Sequence, residues 1–201
     1  MKNPIKIAVT GKIGSGKSTV ADILKDLGYY VFESDKEVDK LFNNNITKKK
    51  IKKLFGKIKN LINKDGSINK TLLGDYVFSK KNELRNLEKL IYPLLNKERK
   101  KFINSKQMEK ILFFDIPLLF QKKLFSDYNF IIYLHVKEEI QRERVLRRKE
   151  MNKDKFEKIL EAQSFNLKDY DNFISIKIDT SKDINQTKKN LVSFIYKKVL
   201  L

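Results

Sequence analysis

Cysteine is absent from this 201-residue chain, so it has no disulfide framework, no thiolate metal site and no cysteine nucleophile. Long apolar runs are missing as well. No stretch of 18 apolar residues occurs, and the N-terminus passes straight into a strand-like segment with no secretory-type apolar stretch before it. Both absences point to a soluble, cytoplasmic protein with no membrane partner. Histidine occurs once, as His135 at the end of an apolar run, where a core or surface role is expected rather than a ligand. Negative charge is scarce relative to positive: 44 Lys and Arg stand against 25 Asp and Glu, a formal charge of +19. A charge of that size can mark nucleic-acid binding. Here the lysines are scattered through every segment, and Lys, Asn and Ile are abundant together, as A+T-rich codons favour. No specific nucleic-acid partner is expected, although a basic surface speeds the approach of anionic substrates.

Glycine is also scarce, yet three of the seven fall within six residues, at Gly11, Gly14 and Gly16. They belong to Gly-Lys-Ile-Gly-Ser-Gly-Lys-Ser from Gly11 to Ser18, which has the Gly-x-x-x-x-Gly-Lys-Ser form of a phosphate-binding loop. The apolar run Ile5 to Val9 precedes it. Val20, Ala21, Ile23, Leu24 and Leu27 follow with the spacing of one helix face, completing the strand, loop and helix that the motif requires. Phosphate is held there mainly by backbone: inward-turned amides and the positive end of the helix face the anion. Gly11, Lys12, Ile13, Gly14, Ser15, Gly16, Lys17, Ser18 and Thr19 therefore form the expected ATP cradle. Lys17 supplies a charge for the β- and γ-phosphates, and the Ser18 hydroxyl is placed to ligate Mg²⁺.

Further along, Tyr29 to Phe32 reads as a second strand after Gly28, a helix-stopping glycine, and delivers Glu33-Ser34-Asp35 at its end. Ligands of open α/β sheets sit at the carboxyl ends of the strands, so Asp35 faces the nucleotide as a base or caps the helical pattern that follows. Residues of about 47–110 read as a helical insert, with turn signals at Gly56, Asp65-Gly66 and Gly74 and a kink or break at Pro93. Ile111 to Asp115 reads as a central buried strand, its terminal Asp115 either orienting Mg²⁺ or serving as a buried structural acid. Asn129 to His135 is another strand, and the next helix carries Gln141, Arg142, Arg144, Arg147 and Arg148. Arg144 and Arg148, one helical turn apart, either clamp phosphate charge or belong to a solvent face paired with Glu138, Glu139 and Glu143. The clamp requires this helix to lie over the glycine loop. Phe173 to Ile178 and Ile184 to Val199 close the chain as a strand and a helix.

Alternating strands and helices with this loop on the first strand describe an α/β protein of the P-loop NTPase fold. Its expected form is a doubly wound, mainly parallel sheet in a single kinase domain over 1–201, with a helical insert. A GTPase is excluded: no glycine follows an Asp in Asp-x-x-Gly, and neither Asn63-Lys64-Asp65-Gly66 nor Asn152-Lys153-Asp154-Lys155 fits Asn-Lys-x-Asp. Motor and transport ATPases ordinarily need a longer chain.

Over nearly its whole length the chain resembles the dephospho-coenzyme A kinase family. The resemblance rests on Thr10 to Ala21, the acidic-small-Asp tripeptide at 33 to 35, Phe55-Gly56, Asp65-Gly66, Asp115-Ile116-Pro117-Leu118-Leu119-Phe120, Gln141 with Arg144 and Arg148, and Gln163. It implies transfer of the ATP γ-phosphoryl group to the ribose 3′-hydroxyl of dephospho-coenzyme A. Asp35 is then the catalytic base, Lys17, Arg144 and Arg148 stabilise charge, Ser18 and Asp115 serve Mg²⁺, and a lid spans roughly 143–163. The chain departs from the family pattern at Lys12, Glu33, Ser34, Tyr92 and Gln121, the last two in the acceptor region, and it shows no recognisable adenine-side loop near 174–180. A kinase for a nucleoside monophosphate or a sugar acid is the alternative enzyme, and a basic nucleic-acid-binding protein the alternative class.

Overall fold

In the computed structural model, which describes residues 3–149 and 151–200, each expected apolar run forms a strand. In chain order the first half contains β1 (Ile5–Thr10), α1 (Lys17–Asp26), β2 (Tyr30–Glu33), α2 (Ser34–Asn43), α3 (Asn45–Phe55), α4 (Lys70–Phe78) and α5 (Lys81–Ser105). The second half adds β3 (Ile111–Asp115), β4 (Phe130–His135), α6 (Glu138–Leu146), α7 (Lys153–Ala162), β5 (Ile176–Asp179) and α8 (Ile184–Phe194). The five strands form one parallel sheet in the order β2-β3-β1-β4-β5. Among the described residues no helix is long and apolar enough to cross a membrane.

Two compact units divide the chain. One takes the residues up to Glu33 and again from Lys106 onward, and contains the whole sheet; the other is helical and runs Ser34–Ser105. In the sheet unit the two-residue period of the strands sorts side chains onto two faces. Ile7 and Val9 of β1, Phe113 of β3 and Ile132 and Leu134 of β4 pack with Val20 and Leu24 of α1 and Leu191 of α8. Residues of the other phase, such as Tyr133, meet an aromatic cluster centred on Phe120, whose ring lies 4.7 Å from Tyr170, 5.2 Å from Phe165 and 6.4 Å from Tyr133. All five residues of β3 are buried, as its uninterrupted apolar sequence requires of a strand covered on both faces.

The helical unit has its own core of Ile51, Phe55, Leu61, Ile68, Leu73 and Val77. Asn44 and Asn69 cap α3 and α4, their side chains accepting backbone N–H bonds from Ile46 (2.9 Å) and Leu72 (3.0 Å). Gly56 and Asp65-Gly66 fall outside helices as their turn chemistry demands, but Gly74 lies within α4 and marks no turn. Pro93 does not break α5, which runs 25 residues through it. The ring is exposed and a proline removes only one hydrogen bond of the ladder, so the packed turns on either side carry the helix across. Two later elements also shift. Leu167–Phe173 winds as a 3-10 turn, so the last strand starts at Ile176, and α8 gives way to a wider π-type turn over Ile195–Leu200.

Phe120 is 1% exposed at the centre of the aromatic cluster. Phe120→Ala should therefore lower the unfolding free energy by about 3–5 kcal/mol, read from urea denaturation; a loss below about 1 kcal/mol would contradict the packing described.

Candidate active site

The glycine loop leaves β1 at the carboxyl edge of the sheet, where the strand ends are tied together. Ile116 N–H donates to the Val9 carbonyl (3.0 Å), and the Thr10 hydroxyl donates to the Ile116 carbonyl (2.7 Å). Gly11 follows at φ 154°, and a Cβ there would sit 2.4 Å from the Leu134 carbonyl oxygen of β4, so only glycine lets the chain turn so close to the neighbouring strand. Gly14 has φ 78°, and a Cβ there would lie 2.8 Å from Val145 Cγ2 and 3.1 Å from Gln141 Cγ, both on α6. Helix α6 thus lies directly against the loop, the condition that the arginine clamp required. At the other end, α1 starts from Gly16 with no side-chain cap, and its first i to i+4 bond is Val20 N–H to Gly16 O (3.0 Å). The amides at the start of α1 therefore remain for an anion. Lys17 Nζ donates to the Gly11 and Lys12 carbonyls at 2.8 and 3.2 Å, holding a full positive charge inside the loop.

Side chains from three later segments fasten this loop. Gln163, the C-cap of α7, accepts the Ile13 N–H on Oε1 (2.7 Å), and Gln141 of α6 donates from Nε2 to the Ile13 carbonyl (2.6 Å). Gln121 Nε2 donates in turn to the Gln163 carbonyl (2.8 Å). The acceptor-region departure at Gln121 thus has a concrete consequence: an amide can donate to that carbonyl, and a carboxylate cannot. Thr180, just past β5, donates from Oγ1 to the Ser15 carbonyl (3.0 Å). It is 6% exposed and is the site-forming residue that motif reading missed. Its one sequence signal is its position at a strand end. Its loop is ordered by the Ser181 N–H, which donates to the Asp179 carboxylate (2.8 Å) and holds that acid below the usual carboxylate range.

The four arginines of α6 and its exit separate by role. Arg142 pairs with Glu157 of α7 (3.0 Å) and Arg147 with Glu143, which is the solvent-face pattern. Arg144 instead turns to the sheet edge and donates to the Thr180 carbonyl (2.8 Å) and hydroxyl (3.3 Å). Arg148 is not on the same helical face as expected, because α6 ends at Leu146 and Arg148 lies in the exposed exit turn, its N–H bonded to Val145 O (3.1 Å).

Among the acids, Glu33 and Asp115 are register neighbours at the tips of β2 and β3. Glu33 is held by Lys25 at 2.5 Å, and this carboxylate raises the lysine above its ordinary range. Asp115 is 7% exposed. Helix α2 already begins at Ser34, so Asp35 lies exposed inside its first turn and does not take the N-cap position. The Ser18 hydroxyl on the exposed first turn of α1 and the Asp115 carboxylate are hard oxygen donors of the type Mg²⁺ takes. His135 is exposed at the end of β4, beside a cavity of about 360 Å³ that also touches Lys12 and Ser15.

Residues 5–172 match the family model for dephospho-CoA kinase. The chain is similar to the dephospho-CoA kinase of Bartonella quintana, with 34% identity across 94% of this chain and 95% of that one. Two solved structures share its fold: a Thermus thermophilus protein at TM-score 0.83 and 24% identity, covering 98% of this chain and 100% of that one, and the dephospho-CoA kinase of Campylobacter jejuni at TM-score 0.66 and 22% identity, covering 98% of each.

Because a methyl group at position 14 meets α6 in a left-handed conformation, Gly14→Ala should cost about 1–2 kcal/mol of stability by urea denaturation and weaken ATP binding by roughly tenfold or more. Unaltered ATP affinity in that variant would contradict the contact between loop and helix.

Proposed function

Since the chain belongs to the dephospho-CoA kinase family, we infer that it transfers the γ-phosphoryl group of ATP to the ribose 3′-hydroxyl of dephospho-coenzyme A, giving coenzyme A and ADP. The observation that carries the reading is an uncapped helix start facing a glycine loop that holds Lys17 inside it, with α6 packed on top. Residues Gly11 to Thr19 bind the ATP phosphates in this reading. Ser18 and Asp115 hold the magnesium ion, which neutralises phosphate charge when bound. Lys17, Arg144 and Arg148 stabilise the charge that spreads over the transferring group.

Asp35 is the base. Its carboxylate takes the proton of the 3′-hydroxyl as that oxygen bonds to the γ-phosphorus, and the bond from the γ-phosphorus to the bridging oxygen breaks to release ADP. Asp35 lies exposed in the first turn of α2, directly after the tip of β2. The unit Ser34–Ser105 serves as the acceptor-side insert of one kinase domain, and residues of about 143–163 serve as its lid, which excludes the water that competes with the ribose hydroxyl. We place the enzyme in the cytoplasm, where its phosphoryl donor ATP is supplied.

An ATP-consumption assay against dephospho-coenzyme A, nucleoside monophosphates and sugar acids tests the assignment: turnover is expected with the first alone, and preference for another acceptor would overturn it. In the same assay Lys17→Ala should lower kcat/KM by roughly 100-fold or more while circular dichroism stays unchanged. Asp35→Asn should lower kcat by roughly 100-fold with the KM for ATP nearly unchanged. If only ATP binding suffers in that variant, the base lies elsewhere.

A further inference from the structure

Both backbone polar groups of Ile13 are occupied, the N–H on the peptide before its Cα and the carbonyl on the peptide after it, and the partners are Gln141 of α6 and Gln163 at the C-cap of α7. Gln163 Oε1 accepts the N–H at 2.7 Å and Gln141 Nε2 donates to the carbonyl at 2.6 Å. The backbone partners settle which end of each amide points inward, because an N–H needs an oxygen and a carbonyl needs an NH₂. Neither side chain is loosely placed. Gln141 is 7% exposed beneath Gly14, with its Cγ against the glycine, while Gln163 is gripped through its own carbonyl by Gln121 and followed by Phe165, whose ring packs on Phe120. The two glutamines begin and end the stretch Gln141 to Gln163, which contains Arg144, Arg148 and α7.

Resting on the kinase reading above, we propose that Gln141 and Gln163 are positioning residues: together they clamp the two peptides that flank Ile13, and so lock the apex of the phosphate loop to the base of the lid. The Ile13 N–H is spent on this clamp and the Ser15 N–H on the Lys12 carbonyl, which leaves the phosphate-facing work to the amides of Gly14 and of Gly16 onward. Releasing either glutamine lets one of the peptides flanking Ile13 rotate and misaligns the neighbouring amides, a loss felt by bound phosphate far more than by the fold.

The clamp predicts an asymmetry that simple packing does not. Gln163→Glu keeps an oxygen that can accept the Ile13 N–H. Gln141→Glu sets an oxygen against the Ile13 carbonyl. The two changes have the same size and each places one added charge beside Ile13. Binding of a fluorescent ATP analogue, and kcat/KM for ATP with dephospho-coenzyme A, should fall roughly tenfold further in Gln141→Glu than in Gln163→Glu. Gln141→Met and Gln163→Met should each weaken both quantities with thermal unfolding nearly unchanged, and the double variant should lose less than the sum of the singles, because the two amides fix the adjoining peptides of one residue. Equal behaviour of the two glutamate variants, or wild-type binding and kinetics in both methionine variants, would overturn the clamp. Wild type assayed alongside separates the readings: its failure to turn over dephospho-coenzyme A defeats the kinase assignment, whereas normal wild-type turnover with no asymmetry defeats only the clamp.

Discussion

A loop that binds phosphate through its backbone must keep several N–H groups pointed at one place without letting them satisfy each other. Left alone, such a segment would relax by turning its amides toward its own carbonyls or water. Here most of the carbonyls are engaged by side chains, the Ile13 carbonyl by Gln141, the Ser15 carbonyl by Thr180 and those of Gly11 and Lys12 by Lys17 of the loop itself, while one internal turn bond runs from the Ser15 N–H to the Lys12 carbonyl. With its acceptors occupied, the loop presents donors. Three features of the sheet unit serve that condition. Parallel β1 and β4 bring Leu134 O up to Gly11, β5 delivers Thr180, and the α6–α7 hairpin supplies the glutamines.

The same straps explain how a chain with 44 basic residues keeps a few of them for chemistry. Arg142 and Arg147 are drawn into ion pairs with Glu157 and Glu143, the ordinary fate of a basic residue on an exposed helix. Arg144 is aimed the other way because Thr180 offers both a carbonyl and a hydroxyl at the sheet edge. Lys17 is selected by geometry too, as the lysine whose ammonium lies within the glycine turn. Charge is therefore allotted by what faces each side chain, and the large net charge outside the site is a general field around it.

Local pattern carried much of this into the sequence. Strand, glycine loop and helix could be read because glycine spacing, period-two apolar runs and helical periodicity are each set within a few residues. The burial of β3 followed from an unbroken apolar run. The contacts that hold the loop were not legible in this way, since Ile13 and Gln163 are 150 residues apart and Ser15 and Thr180 are 165 apart. A glutamine that clamps a peptide and one that faces water look alike in one sequence. Gly74 misled for the opposite reason: it is a local breaker signal that the packing of α4 outweighed, and at Pro93, where a kink or a break was expected, α5 is not broken. Gln163 was visible as the end of a lid-like helix, whereas its partner on the loop was not.

All of these parts serve one event, the movement of a phosphoryl group from ATP to one hydroxyl of one acceptor. Phosphorus NMR of a reaction containing the protein, ATP and dephospho-coenzyme A follows that event directly. A single new phosphomonoester resonance should grow, coupled to the ribose H3′ proton, in step with ADP and in equal amount. Release of inorganic phosphate in step with ADP while the acceptor stays unmodified, or a new ester on any other hydroxyl, would contradict the account.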